Sequence, residues 1–147
     1  MKRAIFPGSF NPFTIGHQSI VDRGLAMFDE IVIALGVSFE KGEAPETRER
    51  MEAISRLYAG NPSVKVVCYN GLTVDAAKQY GCDFILRGVR NMADFEYERN
   101  MADVNLKLSD IETVILLTRP ELATVSSSLV RELQNYGRDV SDMLPKQ

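Results

Sequence analysis

The seven residues Ile31–Val37, IVIALGV, constrain the fold more than any other stretch of this chain. A strand with one wet face alternates apolar and polar residues, so an unbroken apolar run of this length belongs to a strand covered on both faces. Covering both faces of a sheet takes helices on each side, and the flanking sequence supplies them. Arg3–Phe6 reads as the first strand, and Gly16–Phe28 as a helix with Ile20, Val21, Gly24, Leu25 and Phe28 on one face. Thr47–Tyr58 places Met51, Ile54, Leu57 and Tyr58 at helical spacing, and GNP ends it. Val64–Cys68, Phe84–Leu86 and Thr113–Leu117 read as strands; Leu72–Gln79, Met92–Leu108 and Ser126–Tyr136 read as helices. Five β/α alternations in a row predict an α/β fold built on a doubly wound five-stranded parallel sheet, because parallel strands need helical crossovers. No repeat, low-complexity tract or linker divides the sequence, and 147 residues suit one core, so 1–147 is expected to form a single domain.

Composition narrows the class of partner. The formal charge of -3 argues against a general nucleic-acid binder, so any bound anion must be met by a local cluster of cations. No apolar run reads as a signal peptide or a membrane span, which makes the cytoplasm the expected compartment. Cys68 and Cys82, far apart and without a CxxC pairing, read as buried thiols of a reduced compartment. One histidine and no cysteine cluster argue against a zinc site.

Ligands of doubly wound sheets bind beyond the carboxyl ends of the strands. There lies GSFNPFTIGH, Gly8–His17, with the only histidine of the chain. Pro7-Gly8 and Asn11-Pro12 break regular structure, Thr14 suits an N-cap, and His17 shares a face with Ile20 and Val21. A helix N-terminus favours phosphate and disfavours a protonated imidazole, so His17 is expected to be a neutral donor. A lone histidine at a helix start is more often structural, and neither GxxxxGK[ST] nor GxGxxG is present.

The other strand ends add cations and hydroxyls. RGVR, with Arg87 and Arg90, follows the Phe84–Leu86 strand, and Lys41 follows the second strand. Two guanidiniums side by side call for an anion between them; the ordinary alternative is a solvated arginine pair. Ser126, Ser127 and Ser128 open the last helix, where at least one should cap it and the three hydroxyls could form a second anion nest. In NMADFEYE, Asp94 suits the helix dipole, while Glu98, one turn deeper and beside Tyr97, could receive a ribose hydroxyl or a ligand of a neighbouring chain.

TIGH (Thr14–His17) and VSSSLVR (Val125–Arg131) resemble the [HT]-x-G-H and I-S-S-[ST]-x-x-[RK] motifs of a nucleotidyltransferase superfamily with a Rossmann-like fold. With PGSFNPFTIGH and RGVRNMADFEYE in order along Lys2 to about Leu144, the chain is more closely similar to the bacterial phosphopantetheine adenylyltransferase family. That resemblance implies a phosphopantetheine site at Ser9, Lys41, Thr73 and Arg87, and His17 as transition-state stabiliser. It implies ATP contacts from Ser9, Phe10, His17, Gly88, Val89, Arg90, Glu98, Leu122, Ala123, Thr124, Val125, Ser126, Ser127 and Ser128. It also implies Mg2+, a homohexamer and feedback inhibition by coenzyme A. The chain departs from the family at Ser9, where threonine is usual, and at Asn11, where aspartate is commoner. LATVS stands where WSFIS is often found, and EKGEAPE lacks a phenylalanine after the lysine. The expected reaction is in-line attack of the 4′-phosphate of phosphopantetheine on the α-phosphorus of ATP, with no covalent enzyme intermediate. A sister enzyme acting on nicotinate mononucleotide or a polyol phosphate, and a non-catalytic ATP-binding regulator, are the competing readings.

Overall fold

A computed structural model describes residues 1–37 and 45–147. Strands β1 (Arg3–Gly8), β2 (Glu30–Val37), β3 (Val64–Asn70), β4 (Phe84–Val89) and β5 (Glu112–Leu117) alternate with helices α1 (Ile15–Gly24), α2 (Pro45–Leu57), α3 (Thr73–Gln79), α4 (Met92–Ser109) and α5 (Ser127–Asn135). All pairings are parallel and the order is β3-β2-β1-β4-β5, so the sheet reverses direction of winding between β1 and β4.

The two faces of the central strands build two cores. Ile31, Ile33 and Leu35 pack with Ala4 and Phe6 against Ile20 and Val21 of α1 and Ile54 of α2. Val32, Ala34 and Ile5 turn the other way, onto Val74, Ala76 and Ala77 of α3. This is the physical origin of the continuous apolar run, since alternate side chains serve opposite cores. Side chains such as Ile31, Ile33 and Leu35 are fully buried, each contributing roughly 1.5–3 kcal/mol. Cys82 is buried and Cys68 is half-buried rather than buried; both thiols are free. No helix among the described residues is long and apolar enough to cross a membrane.

The sheet splits at its winding reversal. β1 pairs with β4 only through Ala4–Phe84 and Ile5–Ile85, whereas β1 continues along β2 to Gly8 and β4 along β5 to Val89. Pro7, which has no N–H to donate, stands just beyond the last shared pair. The strand ends therefore diverge, and the gap between them opens the site. Arg87, Gly88 and Val89 belong to β4 itself, not to a loop beyond it. The first helix is shorter than its apolar pattern: it stops at Gly24, and Leu25–Met27 continue as a turn. A Cβ at Gly24 would meet Ile31 and Leu86 at 2.8 Å, so the helix end lies directly on the strands.

Candidate active site

A cleft of about 400 Å³ lies over the split, bounded by the β1–α1 loop, the first turns of α1 and α5, and the end of β4. At the α1 mouth, Thr14 is the buried N-cap, and its side chain accepts the His17 N–H at 3.4 Å. In return the Thr14 N–H donates to His17 Nδ1 at 2.9 Å. This is a capping box with imidazole in the position usually held by Glu or Gln. Because Nδ1 accepts, the ring hydrogen resides on Nε2, the nitrogen left for a ligand. Phe10 stands edge-on to the imidazole at 5.0 Å, with Phe13 at 5.4 Å. Burial, followed by the charges of Arg87 and Arg90, lowers the His17 pKa from 6.5 to about 4. The ring is thus neutral, as expected from sequence, with burial and two guanidiniums acting where the sequence pointed to the helix dipole.

Those guanidiniums already have carboxylate partners. Arg87 donates through Nε and Nη2 to Glu98 at 2.6 and 2.7 Å, and through Nη1 to the Pro7 carbonyl. Arg90 donates through Nε to Asp94 at 2.9 Å. The expected anion between the two arginines is therefore partly supplied by α4, one acid for each base. Glu98 is the buried residue of α4, and Arg87 engages both its oxygens. Burial opposes the charge on Arg87, but hydrogen bonds and charge from Glu98 hold its pKa above the ordinary arginine value. Three of its five N–H groups are engaged, leaving one on each terminal nitrogen.

The α5 mouth is built differently. Ser126 is the N-cap, accepting the Leu129 N–H at 3.1 Å. Ser127 donates its hydroxyl to the Pro12 carbonyl at 2.7 Å, and Ser128 accepts from Arg131 at 3.3 Å. Only Ser127 spends its hydroxyl hydrogen; Ser126 and Ser128 accept and keep theirs, so the donors left at this mouth are those two hydroxyls and the Ser127 and Ser128 N–H groups, which have no partner within the helix.

Sequence comparison gives the family of the chain. The profile of the cytidylyltransferase-like family matches residues 5–133. The phosphopantetheine adenylyltransferase of Bacteroides thetaiotaomicron is 49% identical over 146 residues, covering 99% of this chain and 97% of that one. Those of Phocaeicola vulgatus and Flavobacterium johnsoniae are 50% and 48% identical, each over 99% of this chain and 97% and 95% of theirs. The chain belongs to the phosphopantetheine adenylyltransferase family. It is accordingly a nucleotidyltransferase. A solved structure of a candidate nicotinate-nucleotide adenylyltransferase from Vibrio parahaemolyticus superposes with a TM-score of 0.65 over 99% of this chain and 95% of that one. At 18% identity that likeness concerns the fold.

The residues that the family resemblance singled out are distributed unevenly. Ser9, Phe10, His17, Arg87, Gly88, Arg90, Glu98, Val125, Ser126, Ser127 and Ser128 line the main cleft. Leu122, Ala123 and Thr124 do not line it; Leu122 ends a short 3-10 turn, Pro120–Leu122. Val89 is buried in β4 beside the cleft, and Lys41 lies outside the described residues. Thr73 lines a second compartment of about 150 Å³, whose wall toward the first includes Arg87 and Glu98. Met101, Ala102 and Asn105 line this compartment and were not foreseen, although they stand three, four and seven residues after Glu98 on one helix face. Tyr69, Thr113 and, in the main cleft, Thr118 had no sequence signal of their own.

Among the described residues no three His, Cys, Asp or Glu side chains gather to hold a metal ion. The Asp94 and Glu98 carboxylates in the cleft are committed to arginines. Neither carboxylate could ligate a cation without giving up its arginine.

Proposed function

We propose that this chain transfers the adenylyl group of ATP to 4′-phosphopantetheine, yielding dephospho-coenzyme A and pyrophosphate by direct in-line displacement. The observation that carries the reading is the pair of compartments meeting at Arg87–Glu98, with the neutral His17 donor in the larger one. ATP occupies the main cleft, its β- and γ-phosphates near Arg90 and the N–H groups of Ser127 and Ser128. The pantetheine arm enters the second compartment past Thr73, and its phosphate takes the two remaining N–H groups of Arg87, with Ser9 lining the adjoining cleft; Lys41, outside the described residues, is assigned here by the family resemblance alone. An oxygen of that phosphate forms a bond to the α-phosphorus as the bond to the bridging β-oxygen breaks, and pyrophosphate leaves with the electron pair. No protein nucleophile or base is needed, because the attacking phosphate is ionised at neutral pH. His17 Nε2–H donates to an α-phosphate oxygen as charge spreads over it. Bound magnesium would supply charge neutralisation on the triphosphate.

Two further parts of the reading follow from family membership and find support in the surface. Met92, Phe95, Met101, Val104, Leu106 and Leu108 of α4 are exposed, an unusual amount of apolar surface for one helix of a lone molecule. These side chains lie on two sides of the helix, and their burial between copies fits an oligomer; the homohexamer that the family implies would weigh six times the 16.4 kDa chain by light scattering. Coenzyme A, sharing the pantetheine arm, would compete for the second compartment as a feedback inhibitor, in the cytoplasm where its precursors lie. The deciding assay supplies magnesium, ATP and one acceptor at a time: phosphopantetheine, nicotinate mononucleotide or a polyol phosphate. Pyrophosphate release and dephospho-coenzyme A with the first alone support the reading; release only with another acceptor, or with none, overturns it.

A further inference from the structure

Residues 9 to 14 carry the chain from β1 into α1 without helix or strand, and three side chains from elsewhere hold carbonyls within them. Ser127 takes Pro12 at 2.7 Å and Arg131 takes Asn11 at 2.6 Å, both from α5. The third is Arg50, on α2, whose Nη1 donates to the Ser9 carbonyl at 2.8 Å. Nothing in the proposed chemistry uses Arg50. Its guanidinium is nonetheless fixed at two further points, by Nη2 to Thr47 Oγ1 and by Nε to the Glu46 carbonyl, each at 3.3 Å. Thr47 is itself 5% exposed, so the fork is anchored to a buried group. Such three-point fixation suits the planar guanidinium and is beyond the reach of a single ammonium.

The next residue shows what this anchoring accomplishes. Phe10 has φ +47°, a left-handed conformation that costs a bulky L-residue on the order of 1–2 kcal/mol. In this conformation its ring is buried, edge-on to His17 at 5.0 Å and tilted against Phe6 at 5.2 Å. Space for the ring exists because Gly8 lacks a Cβ, which would come within 2.9 Å of it. Freed from Arg50, the Ser9–Phe10 peptide can rotate toward an ordinary φ, and the ring then leaves the imidazole.

We propose that Arg50 is a positioning residue for His17: by holding the Ser9 carbonyl it keeps Phe10 in the backbone geometry that packs its ring against the imidazole. The inference rests on the proposed role of His17 as donor in adenylyl transfer. A helix-surface hydrogen bond of no consequence would leave the imidazole and its chemistry unchanged.

The test uses Arg50→Lys, which keeps charge without the fork, and Arg50→Gln, which keeps neither. His17 is the sole histidine, so its ring signals in a proton–carbon NMR titration need no assignment. In the unsubstituted protein the ring should stay neutral down to about pH 4. In both variants the midpoint should rise toward 6.5 as the ring gains water, while kcat falls about ten-fold and KM for ATP changes far less. If circular dichroism shows the Arg50 variants unfolded, Thr47→Val removes only the Nη2 acceptor and should give the same two changes at smaller amplitude. An unmoved midpoint, or an unchanged kcat, in the folded variants overturns the proposal. Absence of pyrophosphate release from the unsubstituted protein would refute adenylyl transfer instead, and the titration alone would then decide the role of Arg50.

Discussion

The two helix mouths that face the cleft solve the same capping problem with different chemistry. At α1 a threonine caps, and the reciprocal group is an imidazole whose second nitrogen remains for a ligand. At α5 a serine caps, the Ser127 hydroxyl hydrogen is spent on Pro12, and backbone N–H groups remain beside the freely turning hydroxyls of Ser126 and Ser128. Backbone donors stabilise a phosphate whether or not it is reacting, which is uniform binding. A single oriented imidazole can be aimed where charge grows, so the α1 mouth should govern rate and the α5 mouth affinity.

Substitutions that separate kcat from KM put this contrast at risk. The largest effect is expected from His17→Ala, which should lower kcat by roughly 10²–10³ with little change in KM for ATP. An equal loss in KM would erase the distinction between the mouths. Acid should expose the same residue in stability. The unfolded chain takes up a proton on His17 near pH 6.5, whereas the native ring waits until about pH 4. Stability from the buried neutral ring is therefore complete above pH 6.5 and is lost progressively down to about 4. Denaturant melts of His17→Gln should lack that part of the slope and match the parent's slope elsewhere. Ser126→Ala removes a cap and should cost about 1 kcal/mol in a denaturant melt while raising KM for ATP several-fold at nearly constant kcat. Ser127→Ala, which loses the bond to Pro12, should cost a similar amount, on the order of 0.5–1.5 kcal/mol, with a smaller effect on KM. A large fall in kcat from either serine variant would show that the α5 mouth acts on the reacting phosphorus.

Much of the fold was legible because periodicity reports which faces are covered. The run Ile31–Val37 announced a two-sided strand, and β2 is buried from Glu30 to Leu35. Helix ends and strand ends read less well. Arg87 looked like the start of a loop because it is charged, yet β5 pairs with β4 through Val89 and keeps it in the sheet. The cations of the site were legible by type and position, but their pairing was not. Arg87 and Glu98 are eleven residues apart on different elements, and nothing in local pattern reports that α4 crosses β4 at that angle. Arg50 was invisible for the same reason, since its acceptor lies forty-one positions earlier.

The seam between β1 and β4 has a mechanical consequence. Only two residue pairs join β3-β2-β1 to β4-β5 in the ladder, so side chains must hold the two halves together beyond them. α1 packs across the seam onto β4, and Arg87 reaches from β4 back to the Pro7 carbonyl of β1. The guanidinium that faces the cleft is thus also the rivet that closes the sheet beneath it, so removing it loosens floor and ligand contact together.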